Sequence, residues 1–524
     1  MDGDPDHGTT TSSSNADADA DTFEEEGRIA LSELAPAVNL ELLVVENNGL
    51  AVIRNHPEMG RVTVATRSFD FDGDSSSSLM ELVLREQPAL ICRANDYIDY
   101  MEQFLECPEE VQVGILDLFY QPLSSPMGKS LIEPAKFLYQ LGALDDFHVL
   151  HQLLSIYATN AHQYRSDKSA MPILGSKIPH SCHPNLGYSS CKHDDGSISY
   201  HVIRGPIQEG EILSFSYLSD LYETPTPERR ELLQSTKSFV CQCERCRGPD
   251  YCRVIKCPKC HIYLPCKYED TTTTMASTDP VWECEDCGVL PNQLFLQVEV
   301  LLEKAVAVME RSFQLKLSFS QRPEYTPEAV QDLVKSCSQQ LSPTHHLTIK
   351  SLRLLMQLST TFAYNYSKRM VVRGLDINTS PQVHSYFQTS VVADFRLVAA
   401  CECVAAGCTG CGPLVIVTTA ISSNANASAS SPPTPLAATK NRRMMAHDPL
   451  YDCATAMRHL CDNLLRLSVS HWPSYAVTFV ERYLPLLQLK FGETAVQDIE
   501  ERITLRWKDA TCLECGTIWD GTMT

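Results

Sequence analysis

The chain has 524 residues, a net charge of −22 and 22 cysteines, a length that holds several domains with sizeable cores. The acidic balance argues against a broad nucleic-acid footprint; it suits a basic peptide as partner and serves solubility equally well. The amino-terminal stretch has no apolar h-region, so cysteines arranged in C-x2-C pairs point to zinc in a reducing compartment rather than to disulfides.

Taken in order, residues 1–27 form an acidic stretch in which Met1 to Glu26 include no Lys or Arg. Such a composition predicts a disordered tail. Residues 40–45 (LELLVV) predict a strand, and residues 47–55 (NNGLAVIRN) open on an Asn-Gly turn signal. A Ser-rich tip at 75–78 precedes the apolar run LMELVLREQPALI at 79–91. Residues 93–165 show helical periodicity, clearest in FHVLHQLLSIYATNAHQY at 147–164. The stretch that organises the chain follows, from PHSCHPN at 179–185 to CQCERC at 241–246. Between them, residues 199–217 alternate as strands with a turn at Gln208 to Gly210 and end in GEILSFSY, and Glu228, Arg229 and Arg230 start a short helix. Cys241, Cys243 and Cys246 are three thiolate ligands that need a fourth, and Cys182 within PHSCHPN is the candidate. A zinc there would pin the end of this stretch against its beginning.

CPKC (Cys257, Cys260) and CEDC (Cys284, Cys287) predict a second zinc site, a ribbon whose extra length is the polar loop 271–278. Trp282 and Tyr263 are candidates to pack on its knuckles, and Cys252 and Cys266 are spare thiols that can replace a ligand. The alternative is a set of reduced, partly buried thiols. From Gln293 onward apolar residues recur at three-and-four spacing, which predicts paired helices, although no clear 34-residue repeat is present. His345 and His346 read as the N-terminal face of one of these helices. Residues 401–443 interrupt the pattern. Cys401, Cys403, Cys408 and Cys411 have enough thiols for a metal, but the Gly/Ala-rich setting favours an inserted loop, and 424–440 should be disordered. The charge-free stretch 403–421 is broken by Gly407, Gly410, Gly412 and Pro413, which argues against a membrane span. Cys512 and Cys515 make half a metal site.

The blocks PHSCHPN, GEILSFSY and FVCQCERC, in that order, resemble the SET-domain protein methyltransferases, most closely the SET-and-MYND (SMYD-type) branch. That family reads roughly N-H-S-C-x-P-N, G-E-E-I-x-x-S-Y and F-x-C-x-C-x-x-C. The resemblance covers about residues 40–288 by motif and the C-terminal helices by pattern only. It implies an α+β fold: a split SET domain at 38–248, with small β-sheets, a pseudoknot, a helical insert at about 93–165 and a post-SET zinc site. A zinc ribbon at 249–290, an all-α TPR-like domain at 293–510 with a disordered insert at about 412–443, and a tail at 511–524 complete it. Between Cys92 and Cys182 the chain has only Cys107, so the zinc-binding MYND module is expected to be missing.

The activity implied is S-adenosyl-L-methionine-dependent methylation of a protein or peptide lysine, histone or non-histone, in the cytoplasm and/or nucleus. Structural Zn2+ and protein partners on the helical domain go with it, and no direct nucleic-acid or membrane partner. The alternative is a catalytically weak SET-fold scaffold. The resemblance gives Tyr217 the catalytic hydroxyl and assigns Asn48, Gly49, Asn160, His180, Tyr217 and Phe239 to the cofactor. The metal ligands are Cys182, Cys241, Cys243 and Cys246, then Cys257, Cys260, Cys284 and Cys287. Three positions depart from the family: Asn47 replaces a glycine, Pro179 replaces the asparagine before His180, and Lys237 stands where a tyrosine often lines the lysine channel.

Overall fold

The computed structural model describes residues 44–46, 49–69, 81–268 and 280–373, apart from 165–166, 191–192, 194, 219–220, 222 and 315–325, together with scattered positions at 382–404 and 487–497. β1 (Val44–Glu46) is followed by a hairpin of β2 (Ala51–His56) and β3 (Gly60–Ala65), which pair antiparallel along their whole length. Gly60 closes the hairpin turn at φ 71°, a left-handed conformation that glycine adopts without penalty. β4 (Leu82–Glu86) and β5 (Leu90–Arg93) come from the predicted apolar run, and Gln87 to Ala89 separate them.

Five helices follow, in the range whose periodicity predicts helix: α1 (Tyr97–Glu106), α2 (Glu109–Leu116), α3 (Pro126–Ser130), α4 (Ile132–Gln140) and α5 (Phe147–Asn160). Aspartates start the longest two. Asp96 accepts from the N–H groups of Ile98 and Asp99, and Asp146 from those of His148 and Val149, satisfying amides that have no intrahelical partner. α5 is buried on nearly every side from Leu150 to Tyr157. It is therefore the centre of the core of these helices, where it meets Tyr100, Phe104 and Ile115.

The chain returns to sheet in β6 (His162–Tyr164) and β7 (Lys168–Met171), which join β5 in the order β5-β7-β6. β8 (Leu186–Ser189) and β9 (Ile198–Val202) complete a four-stranded antiparallel sheet ordered β1-β4-β9-β8. Glu86, buried at the end of β4, accepts from the N–H groups of Leu174 (3.0 Å) and Gly175 (2.6 Å). A Cβ on Gly175 would lie 2.0 Å from the Tyr200 hydroxyl, so only glycine fits there.

Residues 211–217 thread between two segments distant in sequence. On one side Ala65 N–H donates to Glu211 O and Leu213 N–H to Thr63 O, both at 2.9 Å. On the other, Leu186 N–H donates to Ser214 O, Ser181 N–H to Phe215 O and Phe215 N–H to Pro179 O. Buried Asn185 fastens the crossing: its Oδ1 accepts from Ser214 N–H at 2.7 Å and its Nδ2 donates to Ile212 O at 3.0 Å. The segment that ends in Tyr217 thus lies beside PHSCHPN.

α6 (Thr226–Lys237), α7 (Glu244–Arg247), β10 (Asp250–Lys256), β11 (Tyr263–Tyr268), β12 (Pro280–Val281), β13 (Glu283–Cys284) and β14 (Gly288–Val289) follow. The chain then turns helical in α8 (Asn292–Gln314), α9 (Pro327–Gln340) and α10 (His346–Val372). Trp282, Leu290, Phe295, Val306, Leu341 and Leu347 belong to one apolar cluster, so the cysteine-rich strands and these helices share a core. Among the described residues no helix is long and apolar enough to cross a membrane. Most of the segment expected to interrupt the helices, and Cys512 and Cys515, lie outside the described residues.

Candidate active site and metal centres

Three of the residues assigned from sequence meet at the crossing. The Tyr217 backbone N–H donates to His180 Nδ1 at 3.0 Å, and the Tyr217 hydroxyl donates to Ile178 O at 2.9 Å. Ring centroids of His180 and Tyr217 are 5.3 Å apart, and those of His180 and Phe239 6.1 Å. Because His180 Nδ1 accepts, Nε2 carries the ring proton, and it faces Cys182 Sγ at 3.2 Å. Burial holds the Tyr217 phenol well above its ordinary pKa, so it stays protonated at neutral pH. With its own proton given to Ile178 O, the phenol oxygen keeps lone pairs for an incoming N–H.

Asn160 is buried at the end of α5, and its amide N–H groups go to Phe119 O (2.7 Å) and Ile156 O (2.9 Å). Gly49 takes φ 68° in the turn before β2, and a Cβ there would meet nothing within 4 Å. Its carbonyl accepts from the Thr66 hydroxyl. Asn48 lies outside the described residues.

Lys237, noted in the sequence as a departure, points inward. Its Nζ donates to Thr159 O at 2.7 Å and Ala158 O at 3.3 Å, and it lies 5.8 Å from the centre of the Tyr217 ring. Burial lowers its pKa from the usual lysine value to about 8. His162 was not singled out in the sequence. It sits 6.4 Å from the Tyr217 ring and 5.1 Å from that of Phe215; burial, with Lys237 adding to it, pushes its pKa down to about 3. Its only signal in the sequence is its place two residues after Asn160.

Beside this group the sulfurs of Cys182, Cys241, Cys243 and Cys246 all lie within 4.8 Å of one another, Cys182 being 3.5 Å from Cys246 and 3.9 Å from Cys241. Tetrahedral thiolates at Zn–S of about 2.3 Å would be about 3.8 Å apart, so these four can hold a zinc. Cys243 caps α7 and Cys246 follows one turn later, its N–H bonded to Cys243 O at 3.0 Å. Buried Arg229 sets Nη2 3.7 Å from Cys246 Sγ, a fixed positive charge that favours the thiolate form.

Cys257, Cys260, Cys284 and Cys287 form a second such group, with Cys260 and Cys284 sulfurs 3.4 Å apart. One knuckle turns through His261 at φ 65°, and the other lies on the short β13–β14 pair. Trp282 packs in the same cluster as Cys257 and Cys284, and its indole N–H donates to Arg253 O. The two spare thiols lie outside both four-sulfur groups found among the described residues: Cys252 faces Arg245 Nη2 at 3.2 Å and Cys266 its own neighbour's carbonyl. Of the four cysteines at 401–411, Cys401 is buried and the others are outside the described residues.

A third close group, Glu299, His345 and His346, has metal-ligating side chains but is already committed. His345 caps α10 with Nδ1 accepting from Leu347 N–H, so its Nε2–H donates to Glu299 Oε1 at 3.0 Å. Arg253 holds both oxygens of the same carboxylate. A cation would have to displace a guanidinium and an N–H to enter.

No family model matches the chain. A putative SET domain-containing protein of Acanthamoeba polyphaga mimivirus is 28% identical over 198 residues, which covers 32% of this chain and 69% of that protein. This likeness supports a SET-domain protein. The mixed α/β architecture, with small sheets, two cysteine clusters able to hold zinc and a helical C-terminal part, is consistent with that fold.

Proposed function

We propose that the chain is an S-adenosyl-L-methionine-dependent protein-lysine N-methyltransferase of the SET-and-MYND branch that lacks the MYND module. The observation that carries this reading is the meeting of Tyr217, His180 and Phe239, from three separate segments, against a four-cysteine cluster that ties Cys182 to Cys241, Cys243 and Cys246. In this reading S-adenosyl-L-methionine supplies an electrophilic methyl group, and the protein's part is alignment of a neutral amine. Tyr217 receives an amine N–H on its oxygen and orients the nitrogen. Phe239 offers a flat apolar face to the adenine, and His180, Asn48, Gly49 and Asn160 are the other residues this reading assigns to the cofactor. Zinc in each cysteine cluster has a structural role, and the first closes the site by joining residues 59 positions or more apart. The domain limits given above, a cytoplasmic or nuclear location and protein partners on the helical part belong to the same proposal.

Calorimetric titration with S-adenosyl-L-methionine, joined to transfer of tritiated methyl to a histone mixture, tests it. Binding in the micromolar range with transfer is the expected result. A zinc-loaded, folded chain that binds no cofactor overturns the enzyme reading in favour of a SET-fold scaffold.

A further inference from the structure

α6 ends at Lys237, and Ser238 then turns the chain through a left-handed conformation, φ 58°. An exposed lysine at a helix end ordinarily keeps its ammonium in water. Lys237 instead lays Nζ over Tyr217 and bonds it to the carbonyls of Ala158 and Thr159, the two residues before Asn160. Its nitrogen therefore sits over the ring of the tyrosine proposed to orient an acceptor amine, bonded to the backbone just before the asparagine proposed to face the cofactor. We propose that Lys237 is itself a methyl acceptor, a lysine of the chain seated at the reacting centre beside Tyr217. This rests on the methyltransferase reading above.

The chemistry favours it. Methyl transfer needs an amine free of its proton, and burial has already lowered the Lys237 pKa to about 8. Among the described residues no carboxylate pairs with Nζ, and its bonds are to neutral carbonyls. A sulfonium brought nearby would favour the neutral amine further, because two positive charges disfavour each other. In the step, the Nζ lone pair attacks the methyl carbon of the sulfonium donor. The new C–N bond forms as the C–S bond breaks, and the bonding pair stays on sulfur to leave a neutral thioether. The resulting methylammonium can release a proton to water.

The test uses the full zinc-loaded chain incubated with S-adenosyl-L-methionine, digested and mapped by mass spectrometry. Lys237 should gain the mass of one methyl group, and the fraction modified should not change when the protein is diluted, as an intramolecular transfer requires. Lys237→Arg should lower tritium incorporation into the chain itself several-fold while retaining cofactor binding. If that variant loses zinc, the wild-type peptide map decides alone. A readout independent of turnover is acylation of Lys237 by an N-hydroxysuccinimide ester, which S-adenosylhomocysteine should slow several-fold by covering the amine. A chain that binds cofactor and methylates histones but leaves Lys237 unmodified overturns this inference and leaves the methyltransferase reading standing. A chain that binds no cofactor overturns both.

Discussion

Tyr217 is held at three points: its backbone N–H by His180, its hydroxyl by Ile178 O, and its ring against Phe215 at 5.0 Å. Tyr217→Phe keeps the first and third. It should leave zinc content and cofactor binding intact and reduce methyl transfer on the order of 10²-fold or more, the effect of deleting one group that acts on the transition state. Equal rates for the two proteins, measured with tritiated cofactor, would remove Tyr217 from the chemistry. Lys237→Tyr asks a different question at the same scale. If the inward ammonium hinders a substrate lysine, the variant should methylate histones faster than wild type in the same assay; an unchanged rate means the amine does not obstruct the channel. The nature and spacing of these residues were readable in the sequence. That Lys237 faces inward was not, because its direction depends on the distant α5 carbonyls.

The crossing of two loops and the two cysteine clusters are the parts on which the site is built. Asn185 is 2% exposed and satisfies both a backbone donor and a backbone acceptor of the Tyr217 segment. Asn185→Ala leaves the buried Ser214 N–H and the half-buried Ile212 carbonyl without that partner and should cost about 3 kcal/mol, seen as a lower urea midpoint. An unchanged midpoint would show that water replaces the amide. Purified protein should carry at least two zincs per chain, one for each of the two clusters of four cysteines among the described residues. Cys260→Ser should lower the zinc content by about one per chain, and an unchanged content would exclude Cys260 as a ligand. Glu86 gives β4 a pH dependence. Burial raises its folded pKa from 4.5 to about 7, so it binds its proton more tightly folded than unfolded. Its contribution is complete below about pH 4.5 and is lost as pH rises through about 7. Wild type should therefore lose melting temperature relative to Glu86→Gln between pH 5 and pH 8, and a constant difference would contradict this.

At the scale of the whole molecule, the cysteine-rich strands and the C-terminal helices are joined at Glu299. This carboxylate on α8 accepts from Arg253 on β10 and from His345 at the start of α10, and the pairing holds its pKa far below the ordinary carboxylate range. Glu299→Ala would strand a buried guanidinium, a loss of about 3–5 kcal/mol. It should lower the denaturation midpoint of the folded chain, and protease should then cut first near the junction of the ribbon and α8. A variant as stable as wild type would show that the shared apolar core suffices.

What the sequence alone determined is local. Cysteines with two residues between them pair as knuckles within one cluster, apolar residues every three or four positions made α1 to α5 and the late helices, and an Asp before an apolar run caps α1 and α5. The order of three motifs points by itself to the SET-type reading. The tertiary structure decided what the motifs face. It brought Cys182 to Cys246 across 64 positions, committed Glu299 to Arg253 and His345 rather than to a metal, added His162 to the aromatic group, and aimed Lys237 at Tyr217. The physical reason is that helix period and ligand spacing are properties of neighbouring residues. The direction of a side chain, and whether its charge meets water or a carbonyl, depends on which distant segment the chain threads beside it.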